Sequence, residues 1–335
     1  MNPKLLVLSL VLGLLAPLPV LAHHGVAAVG AGGPEGPGAA LETTSAMPLP
    51  QAAGFAMLKS ELVSFERFAR AEPVNKAFSS FNMLALGFGI RSWLSAYVFQ
   101  PINAKSQDGV GTNLHVGDTN LMLVLALKAD EGLKLVPEKE SLDEMMDWHV
   151  SVWVSCTLPA GPTTRKDDQG AYFAPDMQTG FGLPAPAIGV AVSKQFSEDL
   201  TWLAEVNYQQ FFAHTYPWTR YQFGGEARLN NALTWRMVAR GPFRADLAAE
   251  VLGLHLQRDK ERNDAGAMEA LQASGGLIVY AGLGMRLYYG AWSLAVGAKR
   301  ALPFHALLNE GDQQQGSEGL ENVRVSATLG WSTRF

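Results

Sequence analysis

The chain has 335 residues, a formal net charge of −5 and 48% hydrophobic residues spread through it rather than gathered in blocks. The acidic balance argues against nucleic-acid binding, and the single cysteine, Cys156, excludes an intrachain disulfide. No stretch reaches the ~18 consecutive apolar residues of a transmembrane helix, and abundant Gly with frequent Trp suits tight turns and interfacial aromatic belts.

Residues 1–22 read as a secretory signal: Lys4 supplies the positive n-region, Leu5 to Leu15 the apolar h-region, and Val20-Leu21-Ala22 a small-residue cleavage site. Residues 23–53 are rich in Gly, Ala and Pro and lack periodicity, so they are expected to form a flexible periplasmic extension or a plug. Cleavage after Ala22 would leave His23-His24 at a free amine, a weak copper or zinc signal.

From Gly54 onward the chain divides into segments that alternate in polarity, the period of a strand. The predicted strands are Gly54–Phe68, Phe78–Ile90, Trp93–Asn103, Val116–Ala129, Met146–Pro159, Pro186–Phe196, Leu200–Ala213, Tyr221–Ala239, Phe243–Gln257, Gly275–Tyr288, Ala291–Pro303 and Glu321–Phe335. That is an even twelve, as bacterial single-chain barrels require. Short and long connections alternate, as tight periplasmic turns and external loops should. The exception is Asp130–Met145, a long periplasmic connection in which Ser141-Leu142-Asp143-Glu144 forms a capping box predicting a helical turn.

Face assignment is clearest in the second half. Trp148, Val150, Val152, Val154, Cys156 and Leu158 share one parity, and His149, Ser151, Ser155 and Thr157 the other. The first strand is ambiguous, because Lys59 and Glu61 share a parity with Phe55, Val63 and Phe65. Either the lumen is partly apolar there, or a bulge shifts the register. On the last strand Val323, Val325, Ala327, Leu329 and Trp331 alternate with Arg324, Ser326, Thr328, Gly330 and Ser332, an apolar-out, polar-in pattern that suits lipid outside and water inside. The terminal Phe335, with Trp331 and Leu329, resembles the C-terminal signal read by the bacterial barrel-assembly machinery.

Several short motifs carry a second resemblance. Gly117-Asp118-Thr119-Asn120-Leu121 resembles a G-D-x-x-L element, and Thr157-Leu158-Pro159-Ala160-Gly161 a strand-ending L-P-x-G. Leu183 to Val190 with Ser193-Lys194-Gln195-Phe196 resembles the strand that follows, and Arg262 to Gly266 a long external loop. In this order they are similar to the outer-membrane channel family named for the phenol-degradation meta-pathway, over roughly Phe78 to Phe335. The resemblance implies a transporter or channel, with hydrophobic or aromatic compounds as a family-level substrate.

The chemical candidates are charges of inward parity. Arg228, Arg236, Arg244, Arg286, Lys299 and Arg324 are expected to line the pore with Glu205, Glu226, Asp246 and Glu250. Such residues either select solutes by sign or fill a narrow lumen with ion pairs. Tyr208, Phe211, Phe212, Tyr216, Trp218, Tyr221 and Phe223 form either an aromatic girdle, the favoured reading, or a docking site for a ring. Asp108, Asn113 and Asp118 lack calcium-loop spacing, His149 and Ser151 lie about 7 Å apart on one strand, and nothing calls for a cofactor or a resident metal.

The reading is an all-β, 12-stranded, antiparallel up-and-down transmembrane β-barrel of the bacterial outer membrane. It would pass small-molecule solutes through a polar lumen, with outer-membrane lipid and the assembly machinery as partners. A barrel enzyme acting on lipids and a closed structural barrel are the alternatives.

Overall fold

In the computed structural model, residues 38–65, 76–272, 274–303 and 321–333 are described. The signal segment, His23, His24, His305 and Phe335 lie outside the described residues. Twelve long strands follow one another around a single sheet. They are β1 Gly54–Phe65, β2 Lys76–Arg91, β3 Leu94–Gln107, β4 Thr119–Ala129, β5 Trp148–Leu158 and β6 Ala185–Gln195. The second half holds β7 Leu200–Gln209, β8 Glu226–Arg240, β9 Phe243–Leu256, β10 Gly276–Tyr289, β11 Trp292–Ala301 and β12 Glu321–Ser332. Each pairs antiparallel with its sequence neighbour, and β12 returns to β1 from Phe55↔Ser332 to Phe65↔Glu321. The sheet is therefore closed, an up-and-down all-β barrel of twelve antiparallel strands.

Two predicted strands are interrupted near the loop end. Val116–Ala129 divides into a hairpin arm, Gly111–Val116, and β4, with Gly117 and Asp118 between them. At the break the register against β3 shifts by one residue, from Ile102↔Val116 to Phe99↔Asn120, and the Asp118 side chain is committed to Gly161. Likewise Tyr221–Ala239 divides at Phe223–Gly225, and Arg220–Gln222 joins a separate four-stranded sheet with His214–Thr215, Lys260–Arg262 and Met268–Ala270.

Strand periodicity sorts the side chains as expected. Leu84, Leu86, Leu121, Leu123, Val154, Val206, Leu229, Leu233 and Leu283 are exposed on the outer wall, a belt that would cost dearly to hydrate. At the turn end, Trp148, Phe196, Trp235, Phe243, Tyr289, Trp292 and Trp331 are exposed, and Trp148 meets Trp202 edge-on at 5.9 Å. This ring is arranged as an aromatic girdle would be. The residues from Phe211 to Phe223 are not: Phe211, Tyr216, Tyr221 and Phe223 are buried together, with the half-buried Phe181 and Trp218 packed against them, at the external sheet. Phe212 alone of that predicted group is strongly exposed, at 51%.

The first-strand ambiguity resolves without a slipped register from Phe55 to Ser64, and the one irregularity against β12 falls between Ser64 and Phe65. Met57, Lys59, Glu61, Val63 and Phe65 are all buried, while Leu58 and Leu62 are exposed. The β1–β2 ladder is continuous from Gly54↔Phe88 to Ser64↔Phe78. The lumen is partly apolar.

Candidate functional site in the barrel lumen

The interior carries an apolar patch on one side, beside polar residues such as Lys59, Glu61 and Asn120, and a mostly charged surface on the other. On β1 to β5, Met57, Met83, Ala85, Tyr97, Phe99, Met122, Val124 and Trp153 form one buried apolar cluster, closed by Leu49. On β7 to β12 the buried inward residues include Thr201, Glu205, Glu226, Thr234, Arg244, Asp246, Glu250, Arg286, Lys299 and Arg324. Of the two readings of the first strand, the partly apolar lumen extends well beyond β1. Alternation reports which face a residue takes, and the apolar inward residues of β2 to β4 sit on strands whose outer faces are apolar too.

Residues 38–49 lie inside this barrel, and residues 50–53 turn at its end into β1. Gly38 N–H donates to Thr201 Oγ1 at 3.2 Å, near the turn end of β7. The segment then climbs to mid-barrel, where the Glu250 carboxylate accepts from the backbone N–H groups of Leu41 (2.8 Å), Glu42 (3.0 and 3.1 Å) and Thr43 (3.2 Å). Thr44 N–H donates to Glu205 Oε2 at 3.0 Å. The descent follows through Ala46 N–H to Ser193 Oγ at 2.9 Å and Leu49 N–H to Ser95 Oγ at 3.0 Å, before the chain enters β1. A buried segment that joins no sheet satisfies its backbone donors on wall side chains, as any buried backbone must.

The predicted lumenal charges are drawn into this arrangement and into pairs with one another. Arg286 donates to Ala40 O at 2.7 Å, and Lys299 pairs with Glu42 at 2.7 Å. Arg244 pairs with Asp246 at 2.5 Å and Arg228 with Glu226 at 2.7 Å. Arg324 bridges Glu61 at 2.9 Å and also contacts Glu321. Arg236 is half-buried, with an Nε that lacks a hydrogen-bond partner. Of the residues assigned to membrane assembly, Trp331 is exposed on the outer wall and Leu329 is half-buried.

Sequence reasoning missed Glu42, Lys59, Glu61, Lys105 and Lys128 as members of the interior network. Lys59 and Glu61 pair at 2.5 Å on the inward face, and their shared parity was the available signal. Lys128 reaches Glu144 at 3.2 Å and Asp147 at 3.0 Å in the connection below. Glu42 had no signal, since its segment has no period.

Described connections are anchored at both ends of the barrel. At the turn end, Ser141 caps the short helix Leu142–Met145 in the predicted capping box. The Ser141 hydrogen bonds hold the Glu144 carboxyl down at about 2. Ser92 Oγ–H binds Val136 O at 2.7 Å, and His149 Nε2 meets Glu140 Oε1 at 3.0 Å. At the loop end, Asp118 accepts from Gly161 N–H and Phe181 N–H, each at 2.7 Å. The G-D motif thus clasps the L-P-x-G motif, a contact across 43 residues. Burial pushes the Asp118 carboxyl up to about 6 although these N–H bonds favour its ionised form. Lys105 Nζ donates to Asp176 O and Gln178 O, and Asn113 Nδ2 to Met177 O at 2.8 Å, which seats the loop's central turn Pro175–Met177.

Among the described residues no group of three or more His, Cys, Asp or Glu side chains is placed to hold a metal ion.

No family model and no curated protein matches the sequence. Among solved structures, the chain is similar to an outer-membrane channel from Pseudomonas putida F1, with a TM-score of 0.63 and 14% identity. That alignment covers 86% of this chain and 97% of the channel. The toluene transporter TodX of Pseudomonas putida aligns with a TM-score of 0.43 and 10% identity, over 95% of this chain and 100% of its own. The NanC porin gives a TM-score of 0.43 and 10% identity, over 83% and 100%. The first of these establishes a shared barrel fold.

Proposed function

We propose that the chain is a channel of the bacterial outer membrane that passes small molecules passively, with residues 38–49 as a plug inserted from the periplasmic side. Export by residues 1–22 and delivery to the barrel-assembly machinery through Phe335, Trp331 and Leu329 belong to the same reading. The observation that carries it is how the inner segment is held. Between Gly38 and Leu49 it binds side chains of the wall rather than adding a strand to the sheet. Such a segment can withdraw without opening a strand ladder, whereas a purely structural barrel gains more from a packed core. The charged wall then becomes the surface a solute meets: Arg228, Arg236, Arg244, Arg286, Lys299 and Arg324 against Glu205, Glu226, Asp246 and Glu250. The apolar wall would suit the hydrophobic part of a solute, including aromatic compounds.

Single-channel recording on refolded protein tests this, with liposome swelling across sugars, aromatic acids and neutral phenols. Conductance that rises when Glu250 is replaced by Ala is expected. Neither conductance nor swelling in wild type and in Glu250→Ala refutes the channel.

A further inference from the structure

We propose that the lumen contains a binding site for a small carboxylate bearing an aromatic or branched apolar group, and that Ala40 and Leu41 occupy that site in competition with it. The inference rests on the channel reading for access to the lumen and names the solute class.

Three guanidinium groups and one carboxylate meet on β8, β9 and β10. Asp246 stands directly opposite Arg236 on one side and Arg286 on the other. Directly opposed residues have Cβ atoms ~4.5–5.5 Å apart. Arg244 faces Tyr288 across the same ladder, its guanidinium 5.1 Å from the ring centroid. Both Asp246 oxygens are taken by Arg244, from Nε at 2.6 Å and from Nη2 at 2.5 Å. Arg286 uses Nη2 on Ala40 O, while its buried Nε has no partner, nor does Arg236 Nε. A guanidinium stays ionised at any working pH, so the cluster keeps an excess of positive charge and two unsatisfied donors.

Beside these donors is a floor without side chains. Gly284 and Gly297 are paired across β10 and β11. Leu41 Cδ1 packs where a Cβ on either glycine would stand, and Ala248 and Ala295 complete the patch. The inner segment therefore presents an acceptor oxygen to Arg286 and, one residue on, a branched apolar group to the glycine floor. A carboxylate attached to a ring or branched chain has the same layout. It also does what a single carbonyl cannot, accepting from Nε and Nη2 of Arg286 together in the bidentate mode. Glu250, one inward step beyond Ala248, is engaged by the backbone of Leu41, Glu42 and Thr43.

Calorimetric titration of the full chain in detergent tests the site, with benzoate as probe and benzyl alcohol as its neutral analogue. Benzoate is expected to bind at least tenfold more tightly than benzyl alcohol. Arg286→Gln should remove that preference, and Leu41→Ala should raise benzoate affinity several-fold by weakening the internal competitor. Heat-modifiable gel migration reports the folded barrel. Should Arg286→Gln fail to fold, Arg286→Lys, which keeps the charge but not the fork, must show the same loss. Glu35, three residues before Gly38, is the chain's nearest preceding carboxylate, so the titration is repeated on Glu35→Gln. Equal affinity for the two probes in both backgrounds, or a preference that survives the Arg286 substitution, overturns the site. Conductance is recorded separately. Binding without conductance keeps the site and refutes the channel, and conductance without benzoate preference does the reverse.

Discussion

Replacing Glu250 by Ala should free the inner segment. In the folded chain that carboxylate accepts hydrogen bonds from three consecutive backbone N–H groups, those of Leu41, Glu42 and Thr43, at 2.8 to 3.2 Å. A hydrogen bond to a charged group contributes about 1.5–3 kcal/mol. The three share one acceptor group, so they do not add fully, and about 3 kcal/mol is a sound figure for the set. Since each 1.4 kcal/mol is tenfold, the withdrawn population should rise roughly a hundredfold. Other contacts, including Thr44 with Glu205, Glu42 with Lys299 and Ala40 with Arg286, keep withdrawal from becoming complete. Amide hydrogen exchange in detergent micelles reads this directly: Leu41 to Thr43 should exchange about a hundredfold faster, with β9 and β10 unchanged. A change below about threefold at these amides would refute the reasoning. So would equal acceleration across β9, which would mean that the barrel and not the segment had loosened.

Asp118 gives a pH signature. Its folded carboxyl is raised from 3.8 to about 6, so the folded state holds the extra proton between those values and stability falls as pH rises through that window. Proteolysis of the 160–184 loop should be slower at pH 4 than at pH 7, and Asp118→Asn should flatten the profile. Gly189→Ala places a Cβ inside the volume of the Trp153 indole. Overpacking of this kind costs ~1–3 kcal/mol, visible as a lower temperature for the heat-modifiable gel shift, whereas an unchanged temperature would show that Trp153 can move aside. Arg228→Ala or Arg286→Ala should shift the reversal potential in a salt gradient across a planar bilayer. If neither does, these arginines have no part in selectivity.

Which residues face outward was readable because the signal is local. Strand periodicity needs only neighbours two apart, and so Val323, Val325 and Trp331 could be separated from Arg324 without knowing what β12 pairs with. Turn position was legible for the same reason, from Gly241-Pro242 and Tyr289-Gly290. The Ser141–Glu144 capping box was likewise a matter of four consecutive residues, and the helical turn is present. Where a strand stopped was harder. Gly117-Asp118 leaves the ladder because Asp118 is claimed by Gly161 and Phe181, and that competition involves residues far along the chain. The same holds for the aromatic run from Phe211 to Phe223, whose burial under an external sheet depends on Lys260–Ala270 supplying two of its strands.

The sequence by itself therefore determined the strands, their faces and the closed antiparallel order, all properties with a two-residue period or a short turn. Only the tertiary structure decided what occupies the interior. The contacts of Leu41 with Glu250 and of Ala40 with Arg286 join residues 209 and 246 positions apart, and residues 38–53 have no periodicity to announce them. Inward parity marks a charge as interior. Whether it meets water, another charge or the chain's own backbone is set by which distant segment comes to lie against it.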